Sequence, residues 1–218
     1  MKFAGDKKKG MSLFGPLEKK IVEKYTPKIP KCVETYHLTM LTVLWSGLIV
    51  VFGVLAREDI RWLWLVSLMI AFQYITDLFD GAVGRHRNTG LVKWGYYMDH
   101  FLDYIFLCSI LIAYMFIVPD NMKWIQFFIL ALFGAFMVNS YLSFASTNEF
   151  KIEYLKIGPT EVRLAFIIVN TLWIVFGHTY LKWSLPFVLV ASLISLTYTV
   201  YNSQKYIWAI DMREKNKK

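Results

Sequence analysis

Four aspartates fall within one short stretch, DLFDGAVGRHRNTGLVKWGYYMDHFLD, from Asp77 to Asp103. Asp77 and Asp80 are three residues apart, about 60° around a helix, and Asp99 and Asp103 are four apart, about 40°. Each pair therefore shares a helix face. Asp77, Gly81 and Arg85 stack at four-residue steps, with Asp80 above Gly84; Gly95, Asp99 and Asp103 make a second stack. A short turn between two such helices brings the acidic faces together. Four carboxylates at close range do not all stay ionised without cations. Oxygen-only ligands suit hard divalent ions such as Mg2+ or Mn2+, and two of them neutralise four carboxylates. Two ions about 4 Å apart form a clamp for phosphoryl chemistry. Glycines beside the clamp let a ligand approach the backbone, and Arg85 adds positive charge where a diphosphate would enter.

The flanking sequence raises the cost of that cluster. RWLWLVSLMIAFQYIT precedes it and YIFLCSILIAYMFIV follows it. The 218-residue chain is 56% hydrophobic and 17% aromatic, with a mean hydropathy of +0.43. Soluble domains are nearer 45–50% apolar, at about 25% charged residues. Runs of about 20 apolar residues span the roughly 30 Å hydrocarbon core. Six such runs are present: Leu38–Leu55, Trp62–Val83, Tyr96–Val118, Trp124–Ala145, Val162–Gly177 and Trp183–Tyr201. The expectation is an all-α, polytopic membrane protein with six transmembrane helices. An unpaired charge in lipid costs several kcal/mol or more, so ionisable groups there are read as functional.

Charge sets the orientation. If both termini share a side, only Arg57, Arg61, Lys123 and Lys182 of the 24 Lys and Arg lie on the other. The basic side is cytoplasmic by the positive-inside rule, so both termini and the aspartate cluster face the cytoplasm. The net charge of +8 then suits segments lying against anionic lipid and calls for no nucleic acid. No secretory signal is expected in the first 35 or so residues, and Cys32 and Cys108, in different environments, are not expected to pair.

Domain organisation follows. Residues 1–36 are expected to form a basic tail and a juxtamembrane amphipathic helix, with Leu13, Leu17, Ile21 and Tyr25 at helical spacing between lysines. Ser12 is placed to cap it and Pro16 fits its first turn. Such a helix lies on the membrane surface or packs on the loops. Residues 37–204 form the six-helix domain, and 205–218 a basic tail. Trp62, Trp64, Trp94, Trp124 and Trp183 sit near span ends as interfacial anchors. Asn139 and Asn170, polar within spans, are expected to bond between helices.

The pattern Asp77-x2-Asp80-Gly81-x2-Gly84-Arg85-x9-Gly95-x3-Asp99-x3-Asp103 resembles the signature of the CDP-alcohol phosphatidyltransferase family, D-x2-D-G-x2-A-R-x8–9-G-x3-D-x3-D. It departs at one position, where Gly84 replaces a small alanine. The resemblance implies transfer of a phosphate-linked group from a CDP-activated donor to a hydroxyl acceptor, releasing CMP. By position, Asp77, Asp80, Asp99 and Asp103 would hold two Mg2+ or Mn2+ ions, and Asp103 would be the general base. Asp80, Gly81, Gly84 and Arg85 would meet the nucleotide. Thr39 and Thr42 are further candidates for cytidine contact, although a threonine bonding its own helix carbonyl is the commoner case. In KIGPTEVR, Lys156, Glu161 and Arg163 border the same cavity and are candidates for selecting the acceptor or head group. The donor would be CDP-diacylglycerol or a CDP-aminoalcohol, the acceptor a lipid or a small polar alcohol, and the assembly a homodimer.

Two other functions draw on membrane carboxylates. An intramembrane prenyltransferase also uses aspartates and Mg2+, but on motifs far apart in sequence, whereas Asp80 and Asp99 are close. A cation transporter would use the carboxylates as an ion path and needs no Asp-Gly-x-x-Gly-Arg element.

Overall fold

The computed structural model describes residues 14–88, 91–147, 158–177 and 179–216. Seven α-helices follow in order: α1 Gly15–Tyr25, α2 Thr35–Leu55, α3 Leu63–Arg87, α4 Val92–Ile117, α5 Lys123–Thr147, α6 Pro159–Phe176 and α7 Leu181–Lys215. No strand occurs among the described residues. α2 to α7 are each long and apolar enough to cross a membrane, as the six hydrophobic runs require.

Local chemistry sets the ends. α2 opens on a reciprocal cap, with the Glu34 N–H donating to His37 Nδ1 at 3.0 Å and the Glu34 carboxylate accepting from the first turn. Asp59 accepts from the Arg61 N–H at 3.0 Å in the turn before α3. Arg61's side-chain hydrogen bonds hold the Asp59 carboxyl below the usual carboxylate range. α3 stops at Asn88, whose φ of 52° is left-handed, a conformation asparagine tolerates better than most residues. α6 starts on Pro159, pre-set for a first turn, and the Glu161 carboxylate accepts from the Gly158 N–H at 2.9 Å.

The bundle is apolar on both its inner and its outer faces. Ile49, Leu63, Val66, Ile70, Ile110 and Ala113 are fully buried between helices. Phe127, Leu142, Val175, Trp183, Phe187 and Ile194 are instead among the most exposed large apolar residues, as lipid-facing positions must be. α2 packs against both α3 and α4, while α6 lies on α3 and α5 joins α4 to α7. α2 and α4 approach closely at Gly53, whose missing side chain makes room for Ala113. Polar groups tie the bundle: Asn170 on α6 accepts from Tyr114 Oη on α4 at 2.7 Å and donates to Ser67 Oγ on α3 at 2.9 Å. Asn139 on α5 donates to Ser203 on α7 at 3.4 Å. Both in-span asparagines bond between helices, as expected.

The helices outrun the hydropathy limits. α3 continues past Val83 to Arg87, and α4 begins at Val92. α7 continues beyond Tyr201 to Lys215, through much of the segment expected to be a tail. Hydropathy measures lipid contact, whereas Gln, Lys, Ala, Met, Arg and Glu in QKYIWAIDMREK are competent helix formers in water. α1 matches the expected amphipathic helix from Gly15 onward, with Pro16 in its first turn; Ser12, Leu13 and the tail before them lie outside the described residues. α1 packs on the bundle: the Glu18 carboxylate accepts from Tyr74 Oη on α3 at 2.9 Å and Thr160 Oγ on α6 at 2.8 Å, while Leu17 and Tyr25 are exposed. Arg87 then secures the linker to α2 by donating to the carbonyls of Ile29 and Pro30, each at 3.0 Å.

Candidate active site

Asp77 projects from α3, and Asp99 and Asp103 from α4. Each offers a carboxylate oxygen, and these oxygens all lie within 4.8 Å of one another. α2 makes the juxtaposition, because α3 and α4 touch each other little and both pack against α2, which sets Asp77 opposite Asp99 and Asp103. All three aspartates are half-buried. A dense, all-oxygen, anionic set of this kind fits hard divalent cations.

Asp80 is held differently. It is 7% exposed, and its carboxylate accepts from Thr39 Oγ at 2.7 Å and from the Thr35 hydroxyl, both on α2. Thr39 also lies 3.0 Å from its own helix carbonyl at Thr35. So α2 grips Asp80 while Asp77, one turn away, turns toward α4. Thr42 is buried one turn further along α2. Hydrogen bonds to a charged acceptor contribute about 1.5–3 kcal/mol each, enough to fix the rotamer of Asp80.

Gly81 lies exposed on α3, and a Cβ placed there would meet only the Arg85 guanidinium, its Nη1 nearest at 3.1 Å. The exposed Arg85 side chain therefore folds back along its own helix over Gly81. Gly84 is half-buried, and Gly95 on α4 has nothing within 4 Å of an added Cβ. The helix surface beside the aspartates is open at Gly95, while on α3 the end of a flexible arginine covers Gly81.

Of the three head-group candidates, Lys156 lies outside the described residues. Glu161 caps α6 at Gly158, as above. Arg163 is drawn into the aspartate cluster rather than standing at its mouth. At 7% exposure, its Nη2 donates to Asp77 Oδ2 at 2.9 Å and Asp103 Oδ1 at 3.4 Å. Its Nε donates to the Gln73 side-chain oxygen at 2.7 Å. Gln73 is fully buried, and its amide nitrogen reaches Asp103 Oδ1 at 3.5 Å.

Gln73, Thr35, Tyr74 and Glu18 were not foreseen. Gln73 carries a signal in hindsight, since it is a polar residue inside an apolar run and one turn before Asp77. The Thr35 and Glu18 contacts span 45 and 56 or more residues, and no local pattern announces them. On α4, Tyr141 from α5 donates to the His100 carbonyl at 2.6 Å, bracing the turn that carries Asp99.

The model of a family described as CDP-alcohol phosphatidyltransferase matches residues 36–201, which includes α2 to α6, most of the apolar part of α7 and every aspartate of the cluster. No curated protein matches the chain.

Proposed function

The chain belongs to the CDP-alcohol phosphatidyltransferase family, transferases of phospholipid synthesis, and from that premise we propose that it moves a substituted phosphate from a CDP-linked donor to a hydroxyl acceptor, releasing CMP. The observation that carries this is the Asp77–Asp99–Asp103 cluster within the matched span, flanked by Gly81 and Gly95.

The family uses divalent metals, and the carboxylate set fits them. Asp77, Asp99 and Asp103 would hold two Mg2+ or Mn2+ ions, with Asp80 presented by Thr35 and Thr39 as the fourth aspartate of the pattern. Bound there, the ions would supply charge neutralisation for the diphosphate as CMP departs. Gly81 and Gly84 leave room for the nucleotide along α3, and Arg85 lies within reach of its phosphates. Asp103 accepts the acceptor's hydroxyl proton as the new P–O bond forms. A carboxylate is a weak base toward an alcohol, so proton transfer accompanies attack. The bond to CMP breaks and its oxygen keeps the electron pair. Glu161 and Arg163, together with Lys156, are the candidates for head-group selection, Arg163 from inside the cluster.

A cytoplasmic site at the membrane surface suits one acyl-chain-bearing and one water-soluble substrate, and a homodimer is the expected assembly. The test is CMP release by purified protein in two arms. One supplies CDP-diacylglycerol with polar alcohols, the other CDP-choline or CDP-ethanolamine with diacylglycerol, each with Mg2+ or Mn2+. Turnover in one arm is expected, and Asp103→Asn should abolish it. Absence of CMP in both arms, or full turnover by Asp103→Asn, would refute the assignment.

A further inference from the structure

We propose that Arg163, aligned by Gln73, is the internal counter-cation of the aspartate cluster: it holds Asp77 and Asp103 while no divalent ion is bound and yields them when one binds. This rests on the reading above only in taking the cluster to be a divalent-ion site.

The guanidinium is fixed on both edges and faces. Its Nε is bound to the Gln73 oxygen at 2.7 Å, which turns Nη2 toward Asp77 and Asp103. Its Cζ lies 5.9 Å from the Tyr74 ring centre and 5.8 Å from that of Phe106, where aromatic faces attract a cation. Gln73 has no solvent exposure, so its amide is committed to this one arrangement. A planar fork with five donors meets these demands together, and a lysine ammonium does not.

Without a divalent ion, three carboxylates with oxygens within 4.8 Å would face one another in low-dielectric surroundings, and Arg163 offsets that repulsion. With one, two of the three carboxylates that would ligate it, Asp77 and Asp103, already accept from Arg163. A dication there competes with those hydrogen bonds and approaches a like charge. Arg163 therefore stabilises the ion-free protein and weakens ion binding. Gln73 acts through it as a positioning residue.

The experiment titrates Mn2+ into purified, chelator-stripped protein without substrates, read by electron paramagnetic resonance, and melts the same samples in EDTA. Arg163→Met is expected to bind Mn2+ about tenfold more tightly than wild type. In EDTA it should melt lower, with a larger rise on adding Mn2+. Arg163→Lys, keeping the charge, should stay within about threefold of wild type in affinity. Gln73→Leu frees the fork and should fall between, so it carries the test if Arg163→Met does not accumulate. Equal or weaker Mn2+ binding by Arg163→Met, or by Gln73→Leu in its place, would overturn the proposal, as would an unchanged melt in EDTA. A wild type that binds no Mn2+ also overturns it. If the Mn2+ shifts appear but no CMP is released from any donor, the transferase reading falls and the counter-cation stands.

Discussion

Replacing Gly53 with alanine tests whether α2 and α4 are in backbone contact. A Cβ built at Gly53 would lie 2.7 Å from the Ala113 Cα and 3.3 Å from its carbonyl carbon, and nearer still to the Ala113 Cβ. Carbon atoms in contact sit about 3.5–4.0 Å apart, so the helices must separate by roughly 1 Å at this level. Backbone and a methyl group cannot swing aside as a long side chain would. Overpacking of this kind costs typically about 1–3 kcal/mol. For a chain of this size about 1 kcal/mol moves the midpoint by about 2–4 °C, so Gly53→Ala should melt roughly 3–10 °C below wild type. Gly47, on the same helix with nothing within 4 Å of an added Cβ, is the control. Gly47→Ala should melt at or slightly above wild type, since alanine is the better helix former by about 1 kcal/mol. The assay is thermal unfolding in one detergent, read by intrinsic tryptophan fluorescence. Gly53 is some 14 residues along α2 from Thr39, about 21 Å at helical rise, so the donor KM in CMP release should change little. Equal melting of the Gly53→Ala and Gly47→Ala proteins would refute the close approach of α2 and α4.

Thr39→Val removes the donor to the Asp80 carboxylate at 2.7 Å; the donor KM in CMP release should rise about 5–30-fold from the loss of about 1–2 kcal/mol, and an unchanged KM would count against Asp80 meeting the donor. Glu18→Ala removes both ties of α1 to Tyr74 and Thr160, so trypsin should cut after Lys19 and Lys20 about tenfold faster, in line with the loss of about 1.4 kcal/mol; unchanged cleavage would mean that α1 is held by something else. Asn170→Leu strips Tyr114 and Ser67 of their buried partner and should destabilise by about 1–3 kcal/mol in the same melt. Asn139→Leu, whose bond to Ser203 is 3.4 Å long, should cost less, and the reverse ranking would be inconsistent with the bundle described.

How much was legible in the sequence varies along the chain for physical reasons. Hydrophobic runs report lipid contact, so six crossings could be counted without coordinates, and α2, α5 and α6 begin or end within a few residues of their limits. Helix ends in water obey propensity and caps instead, which is why α3 runs on to Arg87 and α7 to Lys215. Asn170 and Asn139 were readable as interhelical bonds because lipid leaves an in-span amide few other partners.

The aspartates divide along the same line. That Asp77 shares a face with Asp80, and Asp99 with Asp103, follows from helical periodicity, but the two helices meet through α2 rather than along each other. Periodicity also carried the family's pattern, which one residue, Gly84, alters without filling the space. Whether four carboxylates act as one set is a different matter. α2 takes Asp80 through Thr35 and Thr39, and α6 inserts Arg163 between Asp77 and Asp103 with Gln73 behind it. From sequence, Arg163 is a head-group candidate at the border of the cavity; its burial depends on where the first turn of α6 lies against α3. Short-range spacing determines which groups a helix presents together. Only the packing of helices 40 to 90 residues apart in sequence decides which of those groups share a charge.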